Sequence, residues 1–387
     1  MSFSKKIVLS LFFSLLISEC SDLSQAECDY WSAYCSWDES TNTCTEFGGG
    51  GGGGDADGPY EYSTITESQG LRNGPDYRDG VLYYPIDGNP PYKNIVLTPG
   101  FGGGSSSMSS WGAFFASHGY VAMTIGPNDE INDSHYQRGQ GLIDGIETIT
   151  LENNRLGSPV FGLLDTQSFV VSGYSMGGGA SHDASLIAED IGLDVIKALI
   201  SLNPTVIFED CDLCPANDYE GEIYCICLVP ELINHSVPSL IFAGQFELNE
   251  LTAYDGLLGQ DIYYNLPATT EKILVEVAGE GHGAAAYPYG EVSDYILAWL
   301  DYKLQDNQEA CESLLSGPSI ASLYETNVEC STVIDGDVNE DTLINIQDVI
   351  LAVNLILSNG YNNTADLNSD NALNIQDIIL LVAIILG

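Results

Sequence analysis

The residues Gly173-Tyr174-Ser175-Met176-Gly177 match the pattern G-x-S-x-G, which can present a serine nucleophile. The apolar stretch 168–172 predicts a strand directly before the motif, and the small residues 178–180 suit the start of a helix after it. A tight turn between strand and helix exposes the serine hydroxyl, and glycines on both sides of it avoid side-chain clashes. We therefore predict that Ser175 is the nucleophile of an acyl-transfer reaction.

A serine hydroxyl needs a general base, and His282 is the candidate base in this chain. It lies in a glycine-rich loop after a late predicted strand, and this chain order places the histidine last. The acid is expected on the loop after the preceding predicted strand, 239–243. Glu247 is the first choice there, with Glu250 and Asp255 as alternatives. Such a carboxylate would hold the imidazole in the required tautomer and stabilise the imidazolium.

The glycine-rich loop 98–104 follows an early predicted strand and offers backbone donors for an oxyanion. The predicted donors are the main-chain N–H groups of Phe101, in this loop, and of Met176, after the nucleophile. A phosphate-binding loop fits poorly because the lysine of a P-loop is missing. These residues together predict ester hydrolysis through an acyl-enzyme, with no cofactor needed for the chemistry.

Two loops of the same pattern lie near the C terminus, and Asp366 follows Asp337 by 29 residues. Oxygen ligands at loop positions 1, 3, 5, 9 and 12, with a main-chain carbonyl at position 7, suit calcium. The predicted ligands are Asp337, Asn339, Asp341, Leu343, Asn345 and Asp348, and then Asp366, Asn368, Asp370, Ala372, Asn374 and Asp377. We predict about two structural Ca²⁺ sites, because so short a segment cannot fold on its own core. The apolar runs that follow, 349–357 and 378–386, are expected to form two short buried helices.

Short apolar runs alternating with helical segments predict the framework that carries these residues. Strands are predicted at 80–85, 94–98, 120–125, 168–172, 198–201, 239–243 and 272–277, and helices at 111–118 and 292–304. Such a pattern predicts a mostly parallel sheet covered by helices on both faces. The fold class is therefore α/β, of the α/β-hydrolase type, with a small all-α calcium-binding domain after it.

The charge balance is strongly acidic, with 10 Lys+Arg against 55 Asp+Glu and a formal net charge of −45. Such a surface repels nucleic acid and anionic membranes, so no nucleic-acid partner is expected. Lys5 and Lys6 before the apolar run 7–17 predict a secretory signal peptide, since that run is too short to span a bilayer. We predict an exported protein with no membrane span.

Ten cysteines in an exported chain favour disulfides. The mid-chain group, whose spacing could alternatively hold zinc, consists of Cys211, Cys214, Cys225 and Cys227. Seven consecutive glycines, 48–54, predict a flexible linker. The predicted organisation is a signal peptide at 1–20, a Cys-rich segment at 21–47, a Gly-rich linker at 48–58, a catalytic domain at 59–332 and a calcium-binding domain at 333–387.

The catalytic region resembles the polyester hydrolase family of bacterial cutinases and PET hydrolases. The similar motifs are at 58–60, 81–85, 99–101, 116–120, 173–179 and 238–243. The resemblance implies that Phe101, Met176 and Tyr174 line the acyl subsite with Trp111 close by. It also implies a disulfide between Cys311 and Cys330. Cutin, aliphatic polyesters and PET are the implied substrates.

The calcium repeat resembles a type I dockerin, which implies a cohesin-bearing scaffold or cell-surface protein as a partner and attachment of the secreted chain to a surface complex. Ile346-Gln347 and Ile375-Gln376 occupy the expected recognition positions. A calcium-stabilised tail without a partner is the alternative interpretation of this segment. For the whole chain, the alternatives are a lipase or small-ester carboxylesterase and a non-catalytic surface-adhesion protein.

Overall fold

A computed structural model describes residues 58–206, 233–252, 256–330, 335–339, 341–368 and 370–386, together with two N-terminal strands. The predicted signal peptide, most of the Cys-rich segment and linker, the mid-chain cysteine group and Asp255 lie outside the described residues.

Thirteen strands and nine α-helices belong to the described part of the chain. The strands are β1 Cys35–Asp38, β2 Thr43–Glu46, β3 Tyr62–Thr66, β4 Asp79–Pro85, β5 Tyr92–Thr98, β6 Val121–Gly126, β7 Leu164–Tyr174, β8 Ile196–Leu202, β9 Thr205–Val206, β10 Ser239–Gly244, β11 Leu257–Leu258, β12 Lys272–Val277 and β13 Ala321–Thr326. The helices are α1 Ser109–Ser117, α2 His135–Glu152, α3 Met176–Ile191, α4 Glu247–Glu250, α5 Gly259–Asn265, α6 Gly290–Gln305, α7 Gln308–Ser313, α8 Ile346–Ser358 and α9 Ile375–Leu386.

Nine of the strands form one sheet, in the order β13-β12-β10-β8-β7-β5-β6-β4-β3. The six inner strands, from β12 to β6, pair in parallel, and the strands outside them pair antiparallel. Every residue of β6, β10 and β12 is buried, as expected for inner strands with near-continuous apolar runs. The predicted mixed α/β class with a largely parallel sheet is confirmed. Two short antiparallel pairs, β1–β2 and β9–β11, lie outside this sheet.

Helices pack against the sheet near the strands that carry the predicted catalytic residues. Helix α1 packs against β4 and β6, α2 against β5, and α5 against β10 and β12. Helix α2 also lies directly on α3, where a Cβ atom at Gly139 would be 3.0 Å from the main-chain nitrogen of Ala184. The helix that follows Ser175 is therefore held closely from two sides, by α2 and by the sheet.

The chain divides into two compact units, Met1–Leu297 with Ser316–Asn327, and Ala298–Leu315 with Val328–Gly387. In the second unit, the disulfide between Cys311 and Cys330 forms as the family resemblance implied, with an S–S distance of 2.02 Å. Among the described residues, no helix is long and apolar enough to cross a membrane.

The C-terminal helices α8 and α9 form as predicted, but the prediction that they are buried is wrong. Only Val349 and Ala352 of α8, and Ile378 and Leu381 of α9, are buried apolar residues. Large apolar side chains on the other faces of both helices are exposed, namely Ile346, Ile350, Leu351, Val353, Leu357, Ile375, Ile379, Leu380, Ile384 and Leu386. Two helices of 13 and 12 residues cannot enclose side chains that point away from each other.

Candidate active site

Ser175 lies at the junction between β7 and α3, with φ 54° and ψ −118°. Few non-glycine residues adopt a positive φ, and the surrounding main chain holds this one: the Ser175 N–H donates to Leu202 O at 2.8 Å. A Cβ atom at Gly173 would lie 2.3 Å from Gly177 C, and one at Gly177 would lie 2.2 Å from Thr98 O. Both glycines are therefore needed for the turn that exposes the serine.

His282 and Glu247 meet Ser175 in one hydrogen-bonded chain. The Nε2 atom of His282 is 2.8 Å from Ser175 Oγ, and its Nδ1 atom is 2.6 Å from Glu247 Oε1. Glu247 is only 3 % exposed, so its carboxylate is shielded from water, whereas the serine and histidine are partly exposed. This order of hydroxyl, imidazole and carboxylate is the one that activates a serine for attack on a carbonyl.

The short helix α4 supplies the carboxylate that contacts the imidazole. It begins at Glu247, three residues after the last residue of β10, and ends at Glu250. The second carboxylate, Glu250, accepts a hydrogen bond from the main-chain N–H of His282 at 2.7 Å and not from its ring. The hydroxyl of Tyr174 donates to the main-chain carbonyl of His282 at 2.9 Å, so both main-chain polar groups of the histidine are held.

The predicted oxyanion donors lie on two elements that meet at Ser175. Met176 is the first residue of α3, where the initial N–H groups of a helix have no acceptor within the helix. The loop that carries Phe101 runs against the nucleophile, since a Cβ atom at Gly100 would be 3.0 Å from Ser175 Cβ.

A buried cation holds the loop that carries Phe101. Arg138, 1 % exposed on α2, donates from Nη1 to the carbonyls of Pro99 at 3.2 Å and Gly100 at 3.3 Å. Its Nη2 donates to Glu130 O at 2.8 Å. Desolvation lowers the pKa of Arg138 to about 10, which still leaves it charged at neutral pH.

Of the four residues that the resemblance places at or near the acyl subsite, three have surface that a substrate could contact, since Met176 is also partly exposed. Phe101 is 59 % exposed and Tyr174 is partly exposed. The prediction for Trp111 is not met, because this side chain is 0 % exposed and its Nε1 donates to Ala286 O at 3.1 Å. Trp111 stacks on Phe115 and fills the core behind α1.

Two residues near the site had not been singled out from the sequence, namely Arg138 and Asn203. Asn203 follows β8 and donates from Nδ2 to Glu247 Oε1 at 3.1 Å. The sequence signal for Arg138 is the scarcity of cations. With 10 Lys+Arg against 55 Asp+Glu, each arginine is a candidate for a specific structural role. The only sequence signal at Asn203 is its place between a strand and Pro204, which predicts no more than a turn.

Three other histidines are buried outside the Ser175 chain of hydrogen bonds. His182 Nδ1 is 2.9 Å from His235 Nε2, and His182 Nε2 is 3.0 Å from Ser201 Oγ. Desolvation lowers the pKa of His235 to about 4, and it lowers the pKa of His182 well below the usual value. Desolvation, with a smaller effect of nearby Arg138, likewise lowers the pKa of His135 to about 4. All three are therefore neutral at pH 7.

The two C-terminal loops fold alike around their first and last aspartates. In the first loop, Asp337 accepts from the main-chain N–H of Thr342 at 2.7 Å, and Asp348 accepts from that of Asn345 at 2.8 Å. In the second loop, Asp366 accepts from Asn371 N–H at 2.8 Å. The equivalent bond from Asn374 N–H to Asp377 is also 2.8 Å.

The main chain turns in the left-handed region at the same position of both loops. Thr342 and Asn371, each at loop position 6, have φ 70° and 61°, and position 6 is where calcium loops turn sharply. Asp348 and Asp377 are 0 % exposed, and no described Lys or Arg pairs with either of them. No group of three or more His, Cys, Asp or Glu side chains in the described chain is arranged to hold a metal. The predicted ligand sets instead combine aspartates with amide and main-chain oxygens.

Comparison with known proteins finds one matching family model and several similar hydrolases. The family described as PET hydrolase-like (PETase) matches residues 55–207. Cutinase est2 of Thermobifida alba is 26% identical over 276 residues, which are 71% of this chain and 80% of that protein. Cutinase 2 of Thermobifida cellulosilytica is 26% identical over 263 residues, 67% of this chain and 86% of that protein. Bis(hydroxyethyl) terephthalate hydrolase of Streptomyces coelicolor is 24% identical over 251 residues, 65% of this chain and 69% of that protein.

These similarities support a carboxylic ester hydrolase of the cutinase type. The matched range 55–207 includes the turn that carries Ser175. The alignments to the cutinases extend over about two thirds of the chain.

Proposed function

We propose that this chain is an exported serine esterase that hydrolyses polyesters or other hydrophobic esters through an acyl-enzyme. The observation that carries the proposal is the chain of hydrogen bonds from Ser175 through His282 to Glu247, at 2.8 Å and 2.6 Å. No cofactor takes part in this chemistry, because a serine activated by a histidine attacks an ester without one.

In the first step Ser175 Oγ attacks the ester carbonyl carbon while His282 Nε2 takes the hydroxyl proton. The carbonyl oxygen becomes an oxyanion, which the N–H groups of Phe101 and Met176 stabilise. The imidazolium then gives its proton to the leaving alcohol as the ester bond breaks. In the second step His282 deprotonates a water that attacks the acyl-enzyme, and the proton returns to Ser175 as the acid leaves.

The surface beside the serine suits a hydrophobic substrate. Phe101, Phe246 and Leu248, on the loops before α1 and at the start of α4, are exposed by 59 %, 45 % and 69 %. Ile131 is also exposed and lies beside the Phe101 loop, 4.0 Å from where a Cβ of Gly102 would be. Exposed apolar side chains on the segments that carry a predicted oxyanion donor and the acid are available to contact an apolar substrate. The relatives named for cutin and for bis(hydroxyethyl) terephthalate support the same substrate class.

Steady-state kinetics on p-nitrophenyl esters and product release from polyester films test the substrate class. We expect turnover of short esters and release of soluble acids from aliphatic polyester, with PET and cutin as further films. Turnover of short esters alone would identify a small-ester carboxylesterase, and a strong preference for long acyl chains would identify a lipase.

Covalent labelling with a fluorophosphonate probe tests the nucleophile. Ser175→Ala should abolish both labelling and turnover, whereas the matched variant Ser106→Ala, which changes an exposed serine of the adjoining loop, should keep both. Folded wild-type protein that neither labels nor hydrolyses any ester would instead support a non-catalytic role in surface adhesion.

We also propose that the C-terminal residues 333–387 form a dockerin-like domain that binds calcium. Asp337, Asn339, Asp341 and their counterparts in the second loop supply the oxygen-rich ligands that calcium prefers. The buried carboxylates of Asp348 and Asp377 accept main-chain hydrogen bonds but pair with no described Lys or Arg, so a bound cation would further offset the cost of burying their charge. When bound, calcium would hold each loop closed on its own ligands.

The exposed apolar residues of α8 and α9 support a protein partner for this domain. Their exposures match in pairs across the repeat, with Ile346 at 63% and Ile375 at 66%, and Leu357 at 78% and Leu386 at 80%. A cohesin-bearing scaffold or surface protein is the proposed partner. Calorimetry should show about two calcium ions bound per chain, and cohesin binding should require calcium. No calcium uptake would remove the domain assignment, and calcium uptake without cohesin binding would leave a calcium-stabilised tail.

A further inference from the structure

Asn203 is a fully buried residue that sits directly after β8 and beside Glu247. Its exposed fraction is 0 %, and its main chain is in the left-handed region with φ 46°. Its N–H donates to Phe242 O at 2.9 Å, which anchors the residue to the neighbouring strand β10. Asparagine is among the few residues besides glycine that adopt this backbone conformation readily.

The side-chain amide of Asn203 joins the two parts of the proposed catalytic pair. Its Nδ2 donates to Glu247 Oε1 at 3.1 Å, the same oxygen that lies 2.6 Å from His282 Nδ1. Its Oδ1 accepts from the main-chain N–H of Ala285 at 2.7 Å, three residues after the histidine. Only one orientation of the amide fits, because a carboxylate only accepts hydrogen bonds and a main-chain N–H only donates them.

The carboxylate of Glu247 has few other donors to fix it. Apart from the imidazole and Asn203, the described residues donate one further hydrogen bond to this carboxylate, from Gly244 N–H to Glu247 Oε2 at 3.4 Å. A glutamate side chain has one more rotatable bond than an aspartate, so a defined position requires more restraint. A rigid, buried amide with a fixed backbone provides that restraint.

We infer that Asn203 is a positioning residue that sets the geometry of Glu247 against His282. This inference rests on the proposed esterase function of the same site. Asn203 acts on both partners at once, since one end of its amide holds the acid and the other holds the loop of the base. Its side-chain hydrogen bonds go to Glu247 and Ala285 and not to Ser175.

The principal variant is Asn203→Gly, because glycine accepts φ 46° and only the amide is lost. We expect kcat to fall by about 10- to 100-fold with KM changed less than about twofold, as for a lost hydrogen bond to a charged group. A buried asparagine elsewhere supplies the matched control: Asn94, whose Nδ2 donates to Asp165 O at 2.7 Å. Asn94→Gly should lower thermal stability and leave kcat of the folded fraction unchanged.

A second variant, Asn203→Asp, keeps the size of the side chain and the acceptor for Ala285 N–H. It replaces the donor to Glu247 by a second carboxylate, and two buried carboxylates in contact repel or share a proton. We expect a loss of kcat at least as large as in Asn203→Gly, and a shifted acid limb of the kcat profile between pH 5 and 8, without loss of the folded state. An unchanged kcat and pH profile in folded Asn203→Asp would overturn the inference.

The deciding measurement repeats Asn203→Gly in a Glu247→Ala background with an activated p-nitrophenyl ester. If Asn203 acts mainly through Glu247, its loss should have a several-fold smaller effect there, because only its hydrogen bond to Ala285 N–H remains to be lost. The same fold-loss in both backgrounds would overturn the inference and leave a general structural role. Failure of the proposed function itself gives a separate result, namely ester turnover that persists in Ser175→Ala whatever residue occupies position 203.

Discussion

Lowering the pH from 7 to 5 should destabilise the first unit, because the folded first unit buries histidines in their neutral form. Burial lowers the pKa of His135 and of His235 to about 4, against about 6.5 in an unfolded chain. The unfolded state therefore binds more protons than the folded state between these two values. Stability is fully present above about pH 6.5 and is lost as the pH falls towards 4.

Each of these two histidines should contribute about 2 kcal/mol to the loss of unfolding free energy between pH 7 and pH 5. The groups around them do not compensate. Arg138 beside His135 also disfavours its protonation, and Glu189 favours the protonated form of His235 only partly against the desolvation. His182 adds to the effect in the same direction, since burial also lowers its pKa.

Urea denaturation of the wild type and of His135→Gln, at pH 7 and at pH 5, measures this effect. The non-ionisable variant should lose about 2 kcal/mol less on acidification than the wild type, whatever its stability at pH 7. Ser185→Ala, a buried change without a titrating group, is the control and should show the wild-type pH dependence. Equal pH dependence in wild type and His135→Gln would refute the reasoning.

Four further outcomes are expected. Gly177→Ala should lower ester turnover more than about 100-fold, because the new Cβ would lie 2.2 Å from Thr98 O; turnover near wild type would contradict the turn geometry. Arg138→Met should lower kcat at least about tenfold in p-nitrophenyl ester kinetics by releasing the oxyanion loop, and unchanged kcat would contradict that role. Cys311→Ser should lower the free energy of unfolding of the second unit by about 3 kcal/mol in urea denaturation, because the disulfide with Cys330 closes a short loop in the unfolded chain. A decrease below about 0.5 kcal/mol would contradict this stabilising role. Chelating calcium should expose the C-terminal repeat to limited proteolysis, and protection that is the same with and without chelator would count against calcium binding.

The inner strands were predictable because a strand that is buried on both faces has a near-continuous run of apolar residues. The prediction for β12 matches the observed Lys272–Val277, and that for β10 ends one residue short of Gly244. The edge strands β3 and β13 were missed. Most of their residues are only partly buried, so they show neither a continuous apolar run nor a clear alternation.

Helix α2 was missed for a different reason. It contains Gly139, Gly141 and Gly145, which lower helix propensity and hide the pattern. These glycines allow close packing: a Cβ at Gly145 would lie 2.6 Å from Val96 Cγ1, and one at Gly139 would lie 2.9 Å from Asp183 Cβ. A requirement set by neighbouring elements cannot be detected within the helix itself.

From the sequence alone one could read the chemical types and their order: a serine in a strand–turn–helix motif, then candidate carboxylates, then a histidine. Buried strands and tight turns impose strong local constraints on residue type, so these features are visible without coordinates. Only the tertiary structure decided that Glu247 faces the imidazole while Glu250 faces the main chain of His282, and that Asn203 joins the two loops. Such contacts depend on the packing of segments far apart in the chain, which no local pattern records.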